Sequence, residues 1–227
     1  MYFDYYYLVL VVPTIILSMI AQILVQSTFS KYSKIQCSRN LTGRDAALLL
    51  MKNNSVNDVT IEAVSGSLTD HYDPRAKKLR LSEPVYARPS IAAVGVAAHE
   101  TGHAIQHANK YGPLVLRSTL VPAANIGSRF GPIIAILGLV TPYSFLLNIG
   151  LVLFAAAVVF YIITLPVEFN ASARALALLQ NDNILTEEEL KGVKKVLTAA
   201  AMTYVASALT AIMSFVRLLL IARNRRR

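Results

Sequence analysis

Three residues in the stretch AAHETGHAIQH, Ala97 to His107, could do chemistry together: His99, Glu100 and His103, in the order HExxH. On a helix, residues four apart lie one turn apart on the same face, so the two imidazoles project side by side, about 6 Å apart, and can share one ion. Glu100 sits one step round from His99 and can reach a water at that ion without being a ligand itself. Imidazole nitrogen suits zinc and an adjacent carboxylate suits proton transfer, so the spacing predicts a hydrolytic zinc site. A helix with two histidines on a polar face is the plainer reading. The run before the motif, Ile91 to Ala98, is apolar and small; it predicts a buried helix delivering the imidazoles, which favours the metal.

Catalytic zinc takes three protein ligands and keeps one position open, so the motif is short by one. His107 continues the series but lies about 12 Å along an unbroken helix from His99, and the intervening AIQ has no glycine to turn the chain. It is expected in a supporting or surface role. His71 and Asp73, in DHYDPR, could contact a substrate or orient a ligand, although Asp73-Pro74 is equally a turn-forming pair. Glu168, in LPVEFN, is the expected third ligand. A carboxylate at the end of an apolar span is otherwise hard to place, and His, His, Glu is a catalytic zinc set. Complementing a helix N-terminus is the alternative.

The elements that must position these residues belong to an apolar chain. Of 227 residues 55% are hydrophobic and 15% charged, with a mean hydropathy of +0.49, which excludes an ordinary soluble domain and predicts membrane spans. The formal charge is +9. Its basic residues are spread over connecting segments and the C-terminus and no RNA or DNA module is visible, so lipid headgroups and not nucleic acid are the expected partners. Cys37 is the single cysteine, which excludes a fold stapled by internal disulfides.

Leu8 to Phe29 carries no charge over about 22 positions, enough for one span. Tyr2, Tyr5, Tyr6 and Tyr7 suit an interfacial belt, and no small-residue cleavage site follows, so the segment reads as an anchor. Thr42 with Asp45 predicts a capped helix from Gly43 to Lys52. Val59 to Val64, LTDHYD and LRLS read as extended pieces, the last two as a hairpin turning at Pro74 to Lys78. A strand just ahead of the motif helix could offer its edge to an extended peptide or merely roof the helix. Ser90 is the expected N-cap of the motif helix, which runs to about Asn109. Leu114 to Val140, broken by Arg117, Pro122 and Arg129, and Phe145 to Leu165 are further spans, with Arg129 expected inside the bundle or, if the segment is amphipathic, at the interface. Pro166 is expected to start a new helix, Thr186 with Glu189 to cap the next, and Val196 to Ile221 to form the last span.

The expected class is therefore a mainly α polytopic membrane protein with about four transmembrane helices and a small α+β region holding the HExxH helix and a short hairpin. Its divisions are an anchor (1–30), a membrane-adjacent catalytic region (31–113), two spans (114–165), a segment with the third ligand (166–195), and a last span with a basic tail (196–227).

The stretches DHYDPRAKKLRLSEPVY, AAHETGHAIQHA and TLPVEFNASARAL, with four apolar spans in this order, resemble the bacterial membrane-bound neutral zinc metallopeptidases of the YugP-like family, over nearly the whole chain. More distantly they resemble the membrane gluzincins of the HtpX and Ste24 kind. The resemblance implies a membrane zinc peptidase in which a Glu from a later helix completes the HExxH site, a role that maps onto Glu168. Such relatives usually carry an Asp or Asn a few residues later; Asn170 and Ser172 are the polar groups there.

The expected activity is peptide-bond hydrolysis at or near the membrane surface by one Zn2+ per chain, held by His99, His103 and Glu168, with Glu100 as the base. Polypeptides, including membrane proteins, are the expected substrates. For the oxyanion donor His71, His107, Arg174 and Tyr204 are candidates. Lys31, Lys34, Arg39 and Arg44 after the first span, with no Lys or Arg before it, place the site on the cytoplasmic side, and the C-terminal arginines oppose that placement. Two alternatives are a metal-binding scaffold or chaperone-like protein, for which Glu100 would have no use, and an intramembrane-cleaving protease, which would need a motif helix apolar on all sides.

Overall fold

The computed structural model describes residues 5–225 of the chain. A π-helical turn at Tyr7–Val11 leads into α1 (Val12–Tyr32), followed by α2 (Gly43–Asn53), β1 (Thr60–Val64), β2 (His71–Asp73), β3 (Lys78–Ser82) and the single turn α3 (Glu83–Tyr86). The chain continues through α4 (Ile91–Ala108), α5 (Gly112–Val140), α6 (Ser144–Asn181) and α7 (Glu187–Arg225). It is mainly helical, with a small sheet. Tyr2 of the expected aromatic belt and Arg226 and Arg227 of the basic tail lie outside the described residues.

Among the described residues four helices are long and apolar enough to cross a membrane: Tyr7–Tyr32, Gly112–Val140, Ser144–Asn181 and Glu187–Asn224. Two compact units divide the chain. One comprises Met1–Gln22, Val115–Pro166 and Met202–Arg227, the other Ile23–Leu114 and Val167–Ala201. The division cuts across α1, α6 and α7.

The first unit packs Ala135, Leu147, Phe154, Ala157, Leu218 and Ala222 into a small core, while Ile133, Val140, Val152 and Ile162 face outward. Apolar side chains turned away from the core suit a lipid environment, where helices associate through small residues. Arg129 also faces outward, with its guanidinium 5.5 Å from the Phe130 ring centroid. This corrects the expected placement inside the bundle: stacking on an adjacent aromatic face serves the cation where burial would strip its water.

The second unit holds the larger core, in which Leu50, Leu79, Leu81, Val94, Leu179 and Val193 are fully buried. The expected caps are in place. Asp45 N–H donates to Thr42 Oγ1 at 3.1 Å and Thr42 N–H to Asp45 Oδ2 at 3.2 Å, which closes the capping box of α2. Ser90 Oγ accepts from Ala93 N–H at the start of α4. Glu189 caps α7 through Thr186 and also accepts from the Ser38 N–H at 2.6 Å, tying the loop after α1 to α7.

The sheet has the order β1-β3-β2. β2 and β3 form the expected hairpin, Tyr72 opposite Leu79, and β1 pairs parallel to β3 from Thr60 opposite Lys78 to Val64 opposite Ser82. β3, the strand nearest the motif in sequence, is thus central with both edges occupied, and β1 and β2 are the outer strands. Pro166 does not restart the chain. It lies inside the single helix α6, forgoing the bond its missing N–H would give one turn back, because flanking apolar segments leave no water to satisfy a broken backbone.

Candidate metal centre

Two buried helix segments of the second unit build the site. α4 has buried residues on nearly every face, including Glu100, Thr101, His103 and Gln106, and it crosses the part of α6 beyond Pro166 at very short range. A Cβ on Gly102 would lie 2.8 Å from the Ala171 carbonyl oxygen, so the glycine inside HETGH is what lets the two backbones approach. Across that contact His99 and His103 face Glu168, which is 3% exposed.

Glu168 Oε2 is 3.3 Å from His99 Nε2 and 3.5 Å from His103 Nε2, and the donor atoms of the three residues all lie within 4.8 Å of one another. A tetrahedral zinc with bonds of about 2.0–2.1 Å separates its ligands by roughly 3.3–3.4 Å. The donor set and two of its edges therefore fit the ion.

The hydrogen bonds behind the rings strengthen the fit. Gln106 Nε2 lies 2.9 Å from the Val167 carbonyl, which can only accept, so this atom is the amide NH2 and Gln106 Oε1 is an acceptor. That oxygen lies 2.9 Å from His103 Nδ1, which must then carry the proton. Nε2 is then the nitrogen turned to the Glu168 oxygen at 3.5 Å, the orientation in which it would donate to a metal ion held between them. At the other histidine, Ser172 Oγ is 3.1 Å from His99 Nδ1. Asn170 Oδ1 accepts from Gln106 Nε2 at 2.9 Å and from Arg174 Nε at 2.8 Å. Of the residues singled out from sequence, Ser172 thus stands behind His99, and Asn170 and Arg174 belong to a chain that runs through Gln106 to His103.

Glu100 is 8% exposed. Burial pushes its carboxyl up to about 7, helped by the nearby charges of Glu168 and Asp70 and opposed by His99 and by a bond from the Tyr72 main-chain N–H. A carboxylate poised near neutrality, with an edge strand at its side, can accept and return a proton at working pH.

The remaining candidates have other partners or belong to the other unit. His107 Nδ1 is 2.8 Å from the Tyr72 hydroxyl, so it braces α4 against β2. His71 bonds through Nδ1 to the Thr69 carbonyl and lies 3.3 Å from Arg80. Asp73 accepts from the N–H groups of Arg75 and Ala76 and from Arg80, the turn-forming arrangement. Tyr204 is a residue of α7 in the first unit. Gln106 and Tyr72 were not anticipated in these positions. Gln106 could have been found from its place three residues after His103, on the face that α4 buries.

Fold and site together define a class: a helical membrane protein in which an HExxH helix and a carboxylate from a later helix form a candidate metal centre. The chain belongs to the zinc peptidase family described as "Putative neutral zinc metallopeptidase", whose family model matches residues 7–223. It is similar to a protein of Bacillus subtilis (strain 168) described as "Putative membrane protease YugP", with 44% identity over 220 residues, covering 97% of this chain and 98% of that one. No solved structure matches the chain.

Proposed function

We propose that this protein is a zinc-dependent metalloendopeptidase that cleaves polypeptides at or near the membrane surface, with one ion per chain held by His99, His103 and Glu168. The convergence of these three donors beside a buried Glu100 carries the reading. Zinc held there supplies Lewis acidity and a water that ionises near neutral pH. Glu100 takes the proton from the attacking water and delivers it to the leaving amine. Gln106 and Ser172 hold the imidazoles in register, and Gln106 keeps the His103 Nδ1 protonated so that Nε2 faces the ion.

β2 is an outer strand beside Glu100, which takes the Tyr72 N–H; an extended substrate pairing with the other main-chain groups of β2 would be cleaved with little demand on sequence. The 18-residue α4 is not among the helices apolar enough to span, which supports cleavage at the surface over cleavage within the bilayer. A basic segment after α1 supports a cytoplasmic site.

The test uses protein purified in detergent and an unstructured polypeptide as substrate. Glu100→Gln is expected to retain zinc while losing at least about 100-fold in kcat/KM. A zinc-loaded Glu100→Gln as active as the wild type would overturn the assignment of the base.

A further inference from the structure

The last turns of α1 and the first turns of α7 enclose a groove of about 700 Å³ in the second unit. Lys31 from α1 and Lys191, Lys194 and Lys195 from α7 line one end. Ser27, Thr28 and Thr198 follow, and Leu24 and Ala199 lie beyond them. On each helix these positions are spaced by three and four residues, so each stripe is one face turned to the groove. Along α1 the lining passes from Lys31 through Thr28 and Ser27 to Leu24, and along α7 from Lys191, Lys194 and Lys195 to Thr198 and Ala199, each over roughly 10 Å. The Tyr32 ring closes the charged end against α7, where a Cβ on Gly192 would lie 2.8 Å from Tyr32 Cε1.

The charge is only partly compensated. Lys191 pairs with Glu188 at 2.7 Å, whereas Lys31, Lys194 and Lys195 form no salt bridge among the described residues; the Lys31 ammonium lies 5.6 Å from the Tyr32 ring centroid. Both helices pass here from charged to apolar sequence and are long enough to cross a membrane, which places the groove at the depth of lipid headgroups. A soluble anion or a nucleic acid would use the lysines alone. The order of ammonium, hydroxyl and aliphatic groups matches a phosphodiester, a glycerol ester and the start of an acyl chain.

We propose that this groove is a binding site for an anionic phospholipid, with its phosphate against Lys31, Lys194 and Lys195 and its chain entering past Thr198 towards Leu24 and Ala199. A basic pocket between spanning helices is the kind of site that holds such headgroups.

Native mass spectrometry of the full-length protein in detergent, titrated with phosphatidylglycerol or phosphatidylcholine, tests it. The wild type is expected to hold phosphatidylglycerol at least tenfold more tightly than phosphatidylcholine. The triple variant Lys31→Gln/Lys194→Gln/Lys195→Gln should weaken phosphatidylglycerol on the order of 100-fold, at about fivefold per lysine. Thr198→Trp, which fills the groove and leaves the charge intact, should also abolish the adduct. Lys52→Gln/Arg75→Gln/Lys110→Gln, removing three exposed charges elsewhere, should leave it unchanged. Equal binding of the two lipids would overturn the proposal, as would an equal loss in the control variant or an unaffected Thr198→Trp. Displacement of the lipid by inorganic phosphate, glycerol phosphate or a short RNA at matching concentration would overturn it in favour of a soluble anion.

Discussion

Gln106 decides which nitrogen of His103 carries the proton, because the Val167 carbonyl can only accept and so fixes the amide. HExxH spacing names the ligands but contains nothing about this residue, since a glutamine has no metal-binding signature of its own. Asp70 is a second case of environment overriding residue type. It accepts from the Ser82 N–H at 2.7 Å and from the Ser82 hydroxyl, yet burial pushes its carboxyl above the ordinary aspartate range. Between the ordinary aspartate value and the raised native one, the native state therefore holds a proton that the unfolded chain has released. Stability from this group is present at low pH and is lost as pH rises through the raised native value. Asp70→Asn keeps an acceptor for both Ser82 bonds and removes the charge, so its melting temperature relative to wild type should rise between pH 4 and pH 7. A gap that does not move with pH would contradict this. The candidate donors His99, His103 and Glu168, which lie within 4.8 Å of one another, could be picked out from the sequence because imidazole pairs at HExxH spacing and a carboxylate at the end of an apolar span are uncommon. The pairing of His107 with Tyr72 could not, because it joins a helix to a strand through tertiary contact alone.

At the scale of elements, the features read correctly are those settled locally. Thr42 with Asp45, Ser90, and Thr186 with Glu189 each satisfy the orphan N–H groups of a helix start within three residues. Pro166 reads as a boundary by the same local logic, and there the logic fails. In an apolar run the loss of one backbone bond is smaller than the cost of exposing several, so α6 continues through the proline. Beyond the proline the same helix holds Glu168 in fixed register with Ser172, which sits behind His99. Strand order was also beyond local reading. The hairpin is signalled by Asp73-Pro74, but the parallel pairing of β1 with β3 joins segments whose alternation is equally compatible with other neighbours.

For the whole molecule, the halves of the candidate site come from distant parts of the chain, yet all its residues fall in one compact unit. Long apolar runs in the sequence predicted the four apolar helices, because hydrocarbon admits few alternatives to a continuous helix. The proposed cytoplasmic placement of the candidate site rests on Lys31, Lys34, Arg39 and Arg44 after the first span. A reporter fused after Lys52 should score as cytoplasmic, and a periplasmic or extracellular signal would reverse the topology. The most direct test of the central claim, that α4 and α6 jointly hold one zinc, is the zinc content of purified protein by elemental mass spectrometry. We predict about one ion per chain in the wild type and in Glu100→Gln, and a small fraction of that in Glu168→Gln. A Glu168→Gln variant as fully loaded as the wild type, or a wild type that binds no zinc, would contradict the account.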